Sequence, residues 1–398
     1  MPGPWRAGPV RALRALMRLR LREPLLYRWL RLKRALDRRP RPPEELGTPA
    51  IRRILAISCT ALGDTLLSTP GLRALRQTYP QAHITLLVHP SLQQLFTGLA
   101  EIDELIPYDG KWRGFRRAAS QLKGFDLAVI LHGNEPQATP LAYLSGARHI
   151  FKLPNNNRWN FLLSNREPVL AWDDLGHGID QRLAVAKLAG AVGQFERRMT
   201  VPAHADGRAA LDKALAERGW QDATMVAFQP GASTMSRRWP RSRFIAAAAE
   251  MVKVRPDLRF VVTGSPAEAA LCQEVTAGIE AAAPLAGGTR AWASAGQLPL
   301  IALPDLLRRA SLLVTGDTGP MHLAVTVDTP VVALFAVSDP ARSGPGYDLD
   351  KHVIIRKWRT CDPCYSKNCP YAEPICMDNI AVDEVVAAVD TILSRELA

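Results

Sequence analysis

The sequence has no uncharged apolar run approaching the roughly 18 residues that suggest a membrane-spanning helix. Nor does it open with a secretory signal, because Arg14, Arg18, Arg20 and Arg22 interrupt every apolar segment near the N-terminus. Such an Arg-rich, acid-poor leader also suits an organellar transit peptide, which is kept as the minor reading. Cysteine is scarce, with six in 398 residues. With no export signal a reducing compartment is expected, where clustered thiols serve redox or metal chemistry more often than disulfides. The GxxxxGKS/T phosphate loop and the GxGxxG fingerprint are both missing, so a P-loop NTPase or a standard NAD enzyme lacks its main support. Positive charge is also missing where most of the chain lies. The formal net charge is +12, but residues 1–43 hold 13 basic and two acidic side chains, leaving 37 against 36 over the other 355 residues. A nucleic-acid-binding domain needs Lys and Arg over its own surface, so the near-neutral main part argues against that partner.

What is present is a repeated pattern. Hydrophobic residues make up 47 % of the chain, ample for cores in two or three domains. Strand-like runs at IRRILAIS (51–58), HITLLVHP (83–90) and FDLAVILHG (125–133) alternate with helical spacing, as in TLLSTPGLRALRQTYP. A second series begins at 225, with MVAFQPGAS, RFVVTGSP, LLVTGD and PVVALFAVSD separated by helices. Alternating strands and helices predict an α/β chain with parallel sheets covered on both faces, most economically two Rossmann-like halves. The expected division is a basic extension (1–46), an N-terminal half (47–204), a C-terminal half (205–380) and a C-terminal helix (381–398).

Open parallel sheets bind ligands beyond the carboxyl ends of their strands. Three motifs stand there. In GDTGPMHLA (316–324), Gly316 and Gly319 allow a tight turn, Thr318 can cap, and the following helix start suits a diphosphate. An ordinary strand-to-helix turn explains the Gly and Thr, but Asp317 and His322 need partners on a buried strand end. In QPGASTMSRRWP (229–240), Arg237 and Arg238 can clamp a phosphate, although paired arginines are commonly a solvated loop. In CTALGD, Asp64 can cap a helix starting at Thr65 or act as a general base, and spacing leaves both open. His132 either lines the acceptor side or is a satisfied strand end. The Asp348–Asp350 pair reads as a solvated turn rather than a metal site. Trp159, Trp172, Trp220, Trp292 and Trp358 read as packing. Cys361, Cys364, Cys369 and Cys376 can form a structural zinc site, with reduced packed thiols as the alternative.

Together ILAISCTALGDTLLSTPGLRALRQTYP, FQPGASTMSRRWP and VTGDTGPMHLAVTVDTPVVALFAVSDPAR resemble glycosyltransferase family 9, the lipopolysaccharide heptosyltransferases, over about residues 51–395. The resemblance implies a GT-B architecture and an inverting, metal-independent transfer that requires no cofactor. It implies an ADP-heptose donor in the C-terminal half and a lipid-linked core-oligosaccharide acceptor in the N-terminal half. By position Asp64 matches the family's proposed base. Asp317, Thr318, Gly319 and His322 match donor contacts, and Glu268 is a weaker match to an acid contacting the nucleoside. Arg237 stands where the family often has Lys, keeping the charge while changing its geometry.

Residues 10–39 read as two helices separated by Pro24. In the second, Leu25, Trp29, Leu32 and Leu36 share a stripe with Arg28, Arg31 and Arg38 off it, which suits an anionic membrane surface reached through residues 1–43. A disordered basic tail is the alternative. The expected location is therefore cytoplasmic and peripheral on the inner face of the inner membrane. Two other functions stay open: a transferase using another nucleotide sugar, and a non-catalytic nucleotide-sugar- or nucleic-acid-binding protein.

Overall fold

The computed structural model describes residues 23–133, 136–358, 360–361, 369, 371 and 374–395. The first half carries β1 (Arg53–Ser58), β2 (His83–Val88), β3 (Glu104–Pro107), β4 (Leu127–His132) and β5 (His149–Lys152). They form a parallel sheet in the order β3-β2-β1-β4-β5. The second half carries β6 (Met225–Gln229), β7 (Arg259–Val262), β8 (Ala291–Ala293), β9 (Leu312–Gly316), β10 (Val331–Phe335) and β11 (Val353–Arg356). Its parallel order is β11-β10-β9-β6-β7-β8, so the two halves share one winding.

The central strands form where the sequence is continuously apolar, because helices cover both faces of each sheet. In β1, Ile54 and Ala56 pack toward Leu66, Leu72 and Leu183, while Leu55 and Ile57 pack toward Phe115, Leu141 and Trp159. The two-residue period of a strand sends neighbours into opposite cores. The first of these cores continues into the second half through Met321 and Ala324, so one apolar cluster joins the halves.

The helix after β1 runs Leu62–Thr78, three residues earlier than the Thr65 start expected from the sequence. It passes through Pro70, whose ring supplies no N–H to the Leu66 carbonyl. The Thr69 hydroxyl donates to that carbonyl at 2.8 Å, so the acceptor is satisfied and the helix continues. At the other end of the chain, the Val382–Arg395 helix buries Val385, Val389, Ile392 and Leu393 in the second-half core beside Phe244 and Met251. Residues 23–36 are helical and lie against the first half, whereas the expected earlier leader helix falls outside the described residues. Among the described residues no helix is long and apolar enough to cross a membrane.

Candidate active site

A cavity of about 780 Å³ lies between the halves, at the carboxyl ends of both sheets. Asp64 lines it from the first half, and Gly231, Arg237, Glu268, Asp317, Thr318, Gly319 and His322 line it from the second. What joins these motifs is a close helix crossing. The Leu62–Thr78 helix meets the Gly319–Thr326 helix at glycines: a Cβ on Gly63 would lie 2.7 Å from His322 Cδ2, and one on Gly319 would lie 3.0 Å from Leu62 Cβ. Two side-chain-free positions let the backbones approach, placing Asp64, the next residue, beside the start of the second helix.

Asp64 does not cap its helix. It sits inside the first turn behind Ala61, and its Oδ2 accepts from the Thr60 hydroxyl at 3.0 Å. Its Oδ1 accepts from Arg182 Nη2 at 3.2 Å, and His132 Nε2 lies 3.4 Å from Oδ2. Burial pushes the Asp64 carboxyl up, but His132, Arg182 and Thr60 outweigh burial and hold it below the ordinary carboxylate range. Arg182 also donates through Nη2 to His132 Nδ1 at 3.0 Å. A guanidinium has no acceptor, so Nδ1 must offer its lone pair and the ring proton must sit on Nε2, facing Asp64. Burial lowers the His132 pKa to about 4 and keeps the imidazole neutral at pH 7. Arg182 is itself buried, and Nη1 donates to the Gly178 carbonyl and to Gln181. The result is an ionised carboxylate fixed by one cation, one hydroxyl and a neutral imidazole.

On the opposite wall Thr318 occupies the N-cap position with extended backbone, but its hydroxyl pairs with Thr315 Oγ1 at 2.9 Å instead of capping. The first turn of the Gly319–Thr326 helix therefore carries no side-chain cap, and its positive end faces the cavity. Arg237 Nη1 lies 3.4 Å from Asp317 Oδ2, which also accepts from the Ser343 hydroxyl at 3.2 Å. Glu268 Oε2 accepts from the Ser265 amide and hydroxyl, both at 2.9 Å, which fixes the carboxylate over Gly231, where a Cβ would overlap it. Burial lowers the His322 pKa to about 4, and its Nδ1 has no hydrogen-bond partner among the described residues.

One expected donor contact, Arg238, lies apart from the others. Arg238 is turned out of the cavity: its Nε and Nη2 both donate to the Ala232 carbonyl, at 3.1 and 2.8 Å, so it shapes the loop while Arg237 alone faces inward. Successive residues in a tight turn point in different directions, so the two guanidiniums make separate contacts, Arg237 with Asp317 and Arg238 with the Ala232 carbonyl. Of the tryptophans read as packing, Trp159, Trp220 and Trp292 are buried, whereas Trp172 and Trp358 are 48 % and 58 % exposed. Trp172 stands with its ring centroid 6.3 Å from that of His132. Asp348 is not a plain solvated turn either, because it pairs with Arg198 of the first half at 2.8 Å. Cys364 lies outside the described residues. Cys361 and Cys369 are partly exposed and Cys376 is buried, and among the described residues no three His, Cys, Asp or Glu side chains are set to hold a metal. Sequence reasoning missed Arg182, because an arginine in GIDQRLAVAKL has the signature of a solvated helix face; only the fold brings it to Asp64 across 118 positions.

This architecture recurs in solved structures. A family 9 glycosyltransferase of Veillonella parvula superposes with a TM-score of 0.68 at 24 % identity, covering 86 % of this chain and 97 % of its own. The ADP-heptose lipopolysaccharide heptosyltransferase II of Escherichia coli gives 0.68 at 21 %, covering 87 % and 100 %. An E. coli heptosyltransferase solved with ADP-2-deoxy-2-fluoro heptose gives 0.57 at 16 %, covering 85 % and 99 %. These likenesses establish the GT-B fold of two parallel sheets. In sequence the chain is 25 % identical over 322 residues to the lipopolysaccharide core heptosyltransferase OpsX of Haemophilus influenzae, spanning 78 % of this chain and 86 % of that protein. It is 24 % identical over 309 residues to lipopolysaccharide heptosyltransferase 3 of E. coli, spanning 74 % and 82 %. The model of glycosyltransferase family 9 (heptosyltransferase) matches residues 141–374, more than half of the sequence, and the chain belongs to that family.

Proposed function

We propose that the protein transfers a heptose from ADP-heptose to a lipid-linked lipopolysaccharide inner-core acceptor, with inversion and without a metal, at the cytoplasmic face of the inner membrane. The observation that carries this reading is the placement of an ionised Asp64 and the Arg237–Gly319 wall in one cavity between the halves. Asp64 takes the proton of an acceptor hydroxyl as the hydroxyl oxygen bonds to the anomeric carbon. On the opposite side the bond from that carbon to the diphosphate breaks, and the electron pair leaves with the diphosphate. Arg237 and the Gly319–Thr326 helix start stabilise the charge that develops there. Glu268 contacts the nucleoside, while Asp317, Thr318 and His322 contact the sugar and diphosphate. A zinc held by the four C-terminal cysteines would be structural and take no part in these steps.

Asp64→Ala tests the base. Transfer should fall by at least about 1,000-fold, within the range for removal of a general base. ADP-heptose should still raise the thermal unfolding midpoint as it does for the wild type. Turnover near the wild-type rate would rule Asp64 out. Because Arg237 replaces a lysine common in the family, the same thermal measurement over a panel of nucleotide sugars tests the donor, and stronger stabilisation by a UDP- or GDP-sugar would favour the second transferase reading.

A further inference from the structure

The helix at residues 23–36 belongs to neither sheet, yet its orientation is fixed at both ends and along one face. At its start Glu23 pairs with Arg158 at 2.6 Å. In its middle Leu30 is fully buried, and Tyr27 packs edge-on against Trp159 at 5.4 Å and Phe161 at 5.3 Å. After its end Asp37 accepts from Arg39, Arg41 and the Tyr143 hydroxyl. Residues Leu26, Tyr27 and Leu30 thus face the domain. The outward face is then decided by helical geometry: Leu25, Trp29, Leu32 and Leu36 recur at intervals of four, three and four, and are 64, 48, 61 and 70 % exposed. Four large apolar side chains on one outward stripe are more than scattered surface residues.

The charges around the stripe indicate what covers it. Arg28, Arg31, Lys33 and Arg38 are exposed beside it, and Lys33 lies 5.0 Å above the Trp29 ring. Both acids of this region are occupied, Glu23 by Arg158 of the domain and Asp37 by Arg39, Arg41 and the Tyr143 hydroxyl. Upstream, residues 1–22 add six arginines and no acid. A groove of about 580 Å³ opens between Trp29, Leu32 and Leu36 on one side and Leu144 on the other, with Lys33 and Arg39 also lining it. An apolar stripe bordered by cations of one sign is complementary to a surface apolar beneath and anionic at its headgroups. A second copy of this helix would bring like charges together, which disfavours it as the occupant.

We propose that the outer face of the 23–36 helix is a docking surface for an anionic phospholipid bilayer. Because the helix is already folded on the domain, docking does not have to order it. Its start pairs with the segment that follows β5, and the same segment carries Trp172 beside His132. The bilayer would therefore meet the half that lines the acceptor side of the cavity, and this holds whatever the donor is.

The test is flotation of the full chain with phosphatidylcholine vesicles, with and without phosphatidylglycerol. Binding should require phosphatidylglycerol, weaken as salt rises, and drop by at least about 100-fold in the Leu25→Glu, Leu32→Glu, Leu36→Glu triple variant. The three positions are exposed, so the variant should keep the wild-type thermal unfolding midpoint. A separate Arg28→Gln, Lys33→Gln, Arg38→Gln variant should lose the salt dependence along with most of the binding. Unchanged binding by the leucine variant would overturn the proposal, as would equal binding to neutral vesicles. So would a wild-type dimer that ignores vesicles and is dissociated by the leucine substitutions.

Discussion

At the scale of single residues, Arg182 joins His132 and Thr60 in holding Asp64 ionised. Its guanidinium bonds both Asp64 and His132, and burial denies water to that contact. Arg182→Met would leave a part-exposed carboxylate without its cation, at a cost of about 1–3 kcal/mol, measurable by urea unfolding. The pH profile should move as well. With Arg182 present the Asp64 carboxyl lies below its ordinary value, so its basic form persists in mild acid and kcat/KM should fall only near or below about pH 4. Without Arg182 burial pushes the carboxyl up, and the acid limb should shift to higher pH; an unmoved limb would separate Arg182 from the base. The reading of Asp64 as a base came from the family resemblance, while its place at the cavity was legible because it follows a strand in a local motif. Arg182 was not, because nothing in its neighbours marks it. Arg237 and Arg238 were indistinguishable on paper, and a turn geometry that only the folded loop fixes sends one into the cavity and ties the other to the Ala232 carbonyl.

At the scale of elements, the strands legible in the sequence are the central ones. β1, β2, β4, β6, β7, β9 and β10 are short apolar runs covered on both faces. The unread strands β3, β5, β8 and β11 are the four sheet edges. They have only three or four residues, and β3 and β11 are partly exposed along their length, so they carry no continuous apolar signal. The C-terminal helix shows the converse. Its amphipathic pattern is plain, and the structure buries its apolar stripe against the Arg241–Val254 helix in the second-half core. Ile392 is only 2 % exposed there, so Ile392→Ala should destabilise the protein by about 3 kcal/mol in a urea titration. A loss below about 1 kcal/mol would mean that the helix is not integral to that core.

At the scale of the whole molecule, the halves meet through the crossing at Gly63 and Gly319, a shared apolar cluster, and ion pairs such as Arg342–Asp173 and Arg198–Asp348. A side chain at Gly63 would collide with His322 and force the halves apart. Gly63→Val should therefore lower kcat/KM by about 100-fold, the scale of a misplacement near 1 Å, and weaken nucleotide-sugar binding as well, because the clash falls on His322. Wild-type kcat/KM would show that the crossing does not position Asp64. By itself the sequence determined the repeated α/β halves, the motifs at the strand ends and the confinement of charge to the leader, because periodicity, turn residues and composition are local properties. The tertiary structure alone decided that Arg182 reaches Asp64, that one arginine of two enters the cavity, and that the leader helix buries Leu30 while turning Leu25, Leu32 and Leu36 outward. Those outcomes depend on which distant surfaces pack together, and packing fixes side-chain direction in a way that spacing along the chain does not.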